Sequence, residues 1–204
     1  MFIVRTALDI EGKIIFPFRT GQRATCGVCK SDVISKCGEI IKWHWSHLVD
    51  RNCDTWYEHL TPWHIQWQDL LKNFRVATIE VPIEKWGVIH RADAVLPDGR
   101  VFELQHSGIS PEQIRERELY YGEKMVWIFD ARDAFENSRI DLRKKGERDT
   151  FRWKQPKKSI AYASRKVFLD LGEGMLFELE WMSKETPCGG VGILHKSEYL
   201  YNYT

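Results

Sequence analysis

His90-Arg91-Ala92-Asp93-Ala94-Val95-Leu96-Pro97-Asp98-Gly99-Arg100-Val101-Phe102-Glu103-Leu104-Gln105-His106-Ser107 is the stretch on which the fold turns. Residues 88–96 and 101–106 alternate as strands do, and Pro97-Asp98-Gly99 between them is turn chemistry. A two-residue Asp-Gly loop would pair Pro97 with Arg100 and leave Asp93 and Glu103 on opposite faces. Pro97, with φ held at about −65°, suits instead the first central position of a type I turn. Asp98 then follows, with Gly99 as the left-handed bulge residue of a three-residue loop. Leu96 faces Arg100 in that register, and Asp93 falls opposite Glu103 with Cβ atoms roughly 5 Å apart. Two carboxylates at that range suit one Mg²⁺ with bonds of about 2.1 Å. Gln105, two residues past Glu103, points the same way. The plainer alternative is a surface hairpin with an acidic face. Against it, Glu103 lies between Phe102 and Leu104 in an apolar strand, where a carboxylate needs a metal, a cation or strong donors.

At 204 residues, 43% hydrophobic and 29% charged, the composition is that of an ordinary globular chain with enough material for a core. A net charge of +1 gives no global attraction to an anionic partner, so any nucleic-acid surface has to be local. No apolar run approaches the ~20 residues of a membrane span. Residues 1–17 alternate as a hairpin around Glu11-Gly12-Lys13 and lack the pattern of a signal peptide, so a cytoplasmic protein is expected. Five cysteines, an odd number, argue for metal or free thiols rather than a disulfide framework.

Cys26-Gly27-Val28-Cys29 is followed after fourteen residues by His44-Trp45-Ser46-His47. Cys26, Cys29, His44 and His47 together make four ligands for a closed, structural Zn²⁺ site. Cys37 and Cys53 are each able to replace one of them. Gly27 is expected to supply the tight turn of a knuckle. The plain reading is buried cysteines beside an aromatic cluster of Trp43 and Trp45.

Thr61 as cap and Pro62 in the first turn predict a helix over 63–74, with Trp63, Trp67, Leu70, Leu71 and Phe74 on one broad face. His64 lies at the edge of that face, one turn before Gln68. Residues 76–83 read as a strand, with Pro82 marking an edge or an end. Ser110-Pro111-Glu112-Gln113 starts a second helix, ending near Gly122. Arg115 and Arg117 are expected to pair with Glu112, Glu116 or Glu118 on its surface. Met125 to Phe129 is a short buried strand.

His90-Arg91-Ala92-Asp93, Glu103-Leu104-Gln105-His106-Ser107-Gly108-Ile109-Ser110, Arg115-Glu116-Arg117, Tyr120 and Val126-Trp127-Ile128 together resemble the CoiA-like competence protein family of the PD-(D/E)xK nuclease superfamily. Thr61-Pro62-Trp63-His64-Ile65-Gln66-Trp67 resembles that family's Trp-His segment, and the likeness covers roughly residues 20–130. It implies an α/β fold: a restriction-endonuclease-like mixed sheet flanked by helices. It implies a metal-dependent nuclease in which Asp93 and Glu103 hold Mg²⁺ or Mn²⁺, Gln105 orients the attacking water and His64 assists at metal or phosphate. Glu58 is a weaker candidate for the role of His64, and one of the helix arginines is expected to meet phosphate. The family also tends to carry a Cys pair and a His-aromatic-x-His segment. Two positions depart from the pattern. Gln105 stands where the superfamily usually has Lys, and Gln68 where Lys is expected; glutamine donates no positive charge.

From Arg139 to Lys158, nine Lys or Arg stand against three acidic residues, with Phe151 and Trp153 interleaved as candidate stacking surfaces beside phosphate-binding charge. A solvated loop is the default for such a run. Residues 166–182 alternate as two strands around Gly172-Glu173-Gly174, with Val191–His195 as a third, which suggests a small C-terminal β appendage. The expected organisation is a hairpin and zinc module at 1–57, a nuclease core at 58–138, and a basic segment with β appendage at 139–204. The expected function is hydrolysis of DNA phosphodiester bonds, in processing or recombination linked to DNA uptake or defence. DNA and other DNA-processing or defence proteins are the expected partners, and no membrane. The alternatives are a non-catalytic DNA-binding module on the same fold and a zinc-organised protein–protein adaptor.

Overall fold

The computed structural model describes residues 3–40, 42–49, 53–75, 77–186, 188–196 and 200. The side chain of Phe74, expected on the helix face, lies outside what is described. The chain is mixed α/β, rich in sheet, with three helices among the described residues. It divides into two compact units, Met1–Leu96 and Pro97–Thr204. The expected 58–138 segment is shared between them.

The first unit begins with six short strands: β1 (Ile3–Val4), β2 (Ala7–Leu8), β3 (Ile14–Ile15), β4 (Arg23–Thr25), β5 (Asp32–Lys36) and β6 (His44–His47). They form an antiparallel sheet in the order β1-β6-β5-β4-β2-β3. The β2–β3 hairpin turns where Glu11-Gly12-Lys13 requires, with Gly12 at φ 78°. Val4, Ala7, Cys26, Val28, Val33 and Trp45 make a small core on one side of this sheet.

α1 (Pro62–Arg75) follows, capped by Thr61, whose Oγ1 accepts from the His64 backbone N–H at 3.3 Å. Trp63, Trp67 and Leu71 are its buried apolar side chains. It packs on the hairpin of β7 (Thr78–Lys85) and β8 (Val88–Val95). β7 is an edge strand, which accommodates Pro82 because no neighbour needs its missing N–H.

The second unit is one sheet. β9 (Val101–Gln105), β10 (Met125–Asp130), β11 (Ile140–Lys145), β12 (Arg148–Trp153), β13 (Lys166–Gly172), β14 (Met175–Met182) and β15 (Gly189–Lys196) lie in the order β11-β12-β15-β14-β13-β10-β9. β9, β10 and β13 are mutually parallel and the remaining pairs antiparallel. The expected C-terminal appendage is therefore no appendage. β13 pairs directly with β10 and carries the later strands into the same sheet. All of β10 is buried, as a central parallel strand must be. The expected solvated loop of the basic segment is likewise the hairpin β11–β12.

α2 (Pro111–Tyr121) carries the full capping box, Ser110 Oγ accepting from Gln113 N and Gln113 Oε1 from Ser110 N. Gly122 closes it at φ 89°. α3 (Arg132–Glu136) is a short helix after β10.

Candidate metal centre and candidate active-site residues

Cys26, Cys29, His47 and Cys53 bring their ligand atoms within 4.8 Å of one another. Cys26 Sγ lies 3.4 Å from Cys53 Sγ, and Cys29 Sγ lies 3.4 Å from His47 Nε2. Three thiols and an imidazole are a soft, closed donor set, the kind that holds a structural cation such as zinc. The cluster is built on a loop and a strand. The chain turns between Cys26 and Ser31, with Cys26 N donating to Ser31 O and Lys30 N to Cys26 O. Lys30, at φ 57°, is the left-handed residue of this turn, not Gly27. Gly27 is needed for a different reason: a β-carbon there would stand 2.9 Å from Pro82 Cγ.

His44 is not among the four. Both histidines sit on β6, and a spacing of three on a strand puts them on opposite faces. His47 faces the same way as Trp45 and its cross-strand partner Val33, toward the core. His44 turns the other way, its Nδ1 2.9 Å from Lys42 O. Cys53, one of the two cysteines able to replace a ligand, takes the fourth place. The next residue holds it there. Asp54 accepts from Arg91 N at 2.9 Å and pairs with His90 Nδ1 at 2.8 Å, while Trp56 stacks on the His90 ring 3.4 Å away. Asp54 was not singled out in the sequence, though its place directly after Cys53 is a usable signal.

The electrostatics suit a cation. The hydrogen bond from Cys53 holds the Cys26 thiol far below the ordinary thiol value, against the cost of burial, with His47 and Arg91 acting in the same direction. The same bond pushes Cys53 upward. Arg91 reaches Cys26 Sγ at 3.3 Å, a cation beside the sulfurs that would offset the excess negative charge of three thiolates around a divalent ion.

Within the first unit, His64 is buried, with Nδ1 3.0 Å from Thr61 Oγ1 and Nε2 3.6 Å from Glu58 Oε2. The two expected candidates for one role thus stand side by side. Gln68 is buried and accepts from Arg5 at 3.1 Å. Asp93 is half-buried on β8, on the face of Ile89, Arg91 and Val95.

In the second unit Gly99 has the left-handed φ, 82°, that the three-residue loop requires, and Asp98 Oδ1 accepts from Arg100 N. Glu103 and Gln105 are both buried on β9 and share a face. Arg117 of α2, itself buried, donates to Glu103 Oε2 at 3.1 Å and to Gln105 Oε1 at 3.4 Å, and Gln105 Nε2 donates to Ser107 O. The helix is thus not the surface ladder of charge pairs expected of it. Arg117 turns inward to Glu103. Glu118, also buried, accepts from Trp127 Nε1 and from the backbone of Ser164 and Arg165.

The carboxyl ends of β9 and β10 carry a further polar group. His106 Nδ1 lies 2.8 Å from Asp130 Oδ2, and Arg132 grips both oxygens of Asp130. Burial raises the Asp130 carboxyl, but Arg132 and His106 outweigh it and hold the group below the usual value.

The expected stacking surfaces are absent from the basic segment. Phe151 and Trp153 alternate with its cations in sequence and, on a strand, face the other way; both are buried. No described helix is long and apolar enough to cross a membrane. Comparison with family models, curated proteins and solved structures finds no match to this chain.

Proposed function

We propose that this protein is a metal-dependent nuclease acting on DNA, with a zinc ion organising its N-terminal sheet. The observation that carries the reading is the buried pair Glu103 and Gln105, side by side on a strand of a parallel run. A carboxylate and an amide in that place are expensive to bury without a task. Glu103 offers the hard oxygen donor that Mg²⁺ or Mn²⁺ takes, and the resemblance assigns Asp93 as the second. Bound there, the ion would polarise the phosphate and lower the pKa of the attacking water. Gln105 orients that water through its amide, and Arg117 fixes both side chains of β9 in one rotamer. His64, with Glu58 beside it, is the residue that the resemblance assigns to phosphate or the departing oxygen. Cys26, Cys29, His47 and Cys53 hold Zn²⁺ as a structural ion with no open position, so no chemistry is assigned to it. The biological setting that fits is processing of foreign or mobile DNA in the cytoplasm.

Linear, circular and single-stranded DNA incubated with Mg²⁺, with Mn²⁺ and without either tests this directly. Cleavage that requires the metal and is lost in Glu103→Gln supports it; intact DNA under every condition removes it.

One observation favours a second reading. Arg117 already supplies Glu103 with a counter-charge, as a core ion pair would. On that reading the protein binds DNA on a nuclease scaffold without cutting it, and Gln105 in place of lysine is the mark of lost chemistry.

A further inference from the structure

The hairpin β11–β12 sorts its charges by face. Its register pairs Asp141 with Arg152, Arg143 with Thr150 and Lys145 with Arg148, and Lys154 N donates to Arg139 O one step beyond the end. Alternation then puts Arg139, Arg143, Lys145, Arg148, Arg152 and Lys154 on one face, with Asp141 as its one acid. Ile140, Leu142, Phe151 and Trp153 occupy the other, three of them buried, with Lys144 and Asp149 as an opposed pair near its turn. Charged residues on an edge strand commonly serve only to block edge-to-edge pairing. That purpose needs one or two charges of either sign on the edge itself. Here six of one sign are collected on a single face, and two of them, Arg148 and Arg152, stand on β12, which is not the edge.

The same face borders a cavity of about 670 Å³ whose lining includes Arg139, Arg143, Arg152, Lys154, the single acid Asp141 and the half-buried Phe135. Arg139 is paired with Asp133, Arg143 with Asp141, and Arg148, further along the ribbon, with Glu180. Arg152 and Lys154 carry no ion pair among the described residues. They are exposed cations on a concave surface whose one carboxylate among the described residues, Asp141 across from Arg152, is paired with Arg143.

We infer that this face of the β11–β12 ribbon is a docking site for the phosphate backbone of double-stranded DNA, with Arg152 and Lys154 as its principal contacts. The assignment rests on the nucleic-acid reading above but not on catalysis. Charge complementarity selects the occupant. A row of cations along a strand matches a polyanion whose charges recur along a line, and backbone contacts of this kind position a protein without reading sequence. The cavity gives the row a concave seat, and the buried aromatic face keeps the ribbon rigid beneath it.

Binding of a labelled duplex oligonucleotide, followed by fluorescence anisotropy without Mg²⁺ or Mn²⁺, between about 50 and 200 mM salt, tests this. Arg152→Gln with Lys154→Gln is expected to weaken binding roughly tenfold or more and to reduce the salt slope by about two, one per cation removed. Lys13→Gln with Lys184→Gln removes the same charge elsewhere and is expected to bind as wild type does. Equal losses in both double variants, or no loss in the first, would overturn the site. So would a wild type that ignores duplex at the lowest salt, whether or not it takes up a polyglutamate probe. Cleavage with Mg²⁺ is scored separately on Glu103→Gln. Salt-sensitive binding that depends on Arg152 and Lys154, with no cleavage in any metal, leaves the docking site standing and removes the nuclease.

Discussion

The Cys26–Cys29–His47–Cys53 cluster and the Glu103–Gln105–Arg117 group both bury polar atoms, and they compensate them in opposite ways. In the first, like donors converge: three sulfurs and an imidazole nitrogen lie within 4.8 Å, with a single guanidinium at their edge. In the second, the chain brings its own cation to within 3.1 Å of the carboxylate. Converging thiols repel one another as thiolates and call for an ion from outside. A carboxylate with a buried arginine is already neutralised. A metal would thus serve structure in one place and activity in the other, and substitutions should separate the two.

The largest effect is expected at the cluster. Purified protein should carry about one tightly held zinc per chain, and binding of a structural zinc is worth on the order of 10 kcal/mol. Cys26→Ala and Cys53→Ala should each lose the ion and unfold the N-terminal sheet, as should a strong chelator. His44→Ala should keep the full metal content, because its ring faces away. Metal analysis with circular dichroism checks all of these. A zinc-free wild type, or a His44→Ala that loses metal while Cys53→Ala keeps it, breaks the assignment.

Next in size is Glu103. If it ligates the catalytic ion, Glu103→Gln should lower metal-dependent cleavage by about 10³-fold or more, the equivalent of several kcal/mol of transition-state stabilisation. Stability should respond differently. Glu103→Ala takes the carboxylate from the buried Arg117 and leaves it the neutral Gln105 oxygen, a loss of about 3–5 kcal/mol by denaturant unfolding, whereas Glu103→Gln retains an acceptor and loses less. Unchanged cleavage in Glu103→Gln, together with a destabilised Glu103→Ala, would make the pair a structural one.

Local signals in the sequence carried a long way. The Ser110–Gln113 box, the stop at Gly122, the left-handed Gly99 and the Gly172-Glu173-Gly174 turn all lie where their chemistry requires, because each is decided by a few adjacent residues. Two of the expected zinc ligands, Cys26 and Cys29, needed only a short loop. His44 failed because Cys-x2-Cys with His-x2-His reads as a zinc site whatever the second element is. On a helix, residues three apart share a face; on β6 they do not. Cys53 was visible as a candidate, but its selection depends on Asp54 binding His90 and Arg91, contacts far apart in sequence. The basic segment shows the same limit. Its charge was evident, while the sorting of cations from Phe151 and Trp153 follows only once the run is known to be a hairpin. Strand β13 beside β10 was hidden for a further reason, since parallel pairing leaves no local trace.

Lys157 and Lys158 sharpen the comparison at smaller scale. They are neighbours in one basic run, yet Lys157 Nζ donates to His106 O at 2.6 Å and to Asp130 O at 2.9 Å, tying together the carboxyl ends of β9 and β10. Lys158 is exposed. Lys157→Ala should therefore cost about 1–2 kcal/mol, as loss of charged hydrogen bonds does. Lys158→Ala should stay within about 0.5 kcal/mol of wild type. Equal losses at both would mean that the run acts through net charge rather than through this clamp.

The smallest effect concerns slope rather than magnitude, and it sits at Glu80. This residue occupies a left-handed φ of 51° inside β7, a conformation with a cost for any residue bearing a β-carbon. Its carboxylate accepts from the backbone N–H groups of Arg5 and Thr6 at 2.7 and 2.9 Å, which holds the β1–β2 connection in place. Burial raises the Glu80 carboxyl above its usual value; Arg91 and the two backbone donors oppose this and do not overcome it. A carboxyl raised in the folded state favours folding most where it is protonated. Its contribution is complete below the unfolded pKa of about 4.3 and is lost as pH rises through the folded value. Glu80→Gln keeps an oxygen to accept from Arg5 and Thr6 and has nothing to titrate. Unfolding midpoints of the two proteins, measured in parallel from about pH 5 to pH 8, should show wild type losing ground to Glu80→Gln as pH rises. A constant difference across that range would mean that Glu80 is already fully ionised in its site, with Arg91 rather than burial in control.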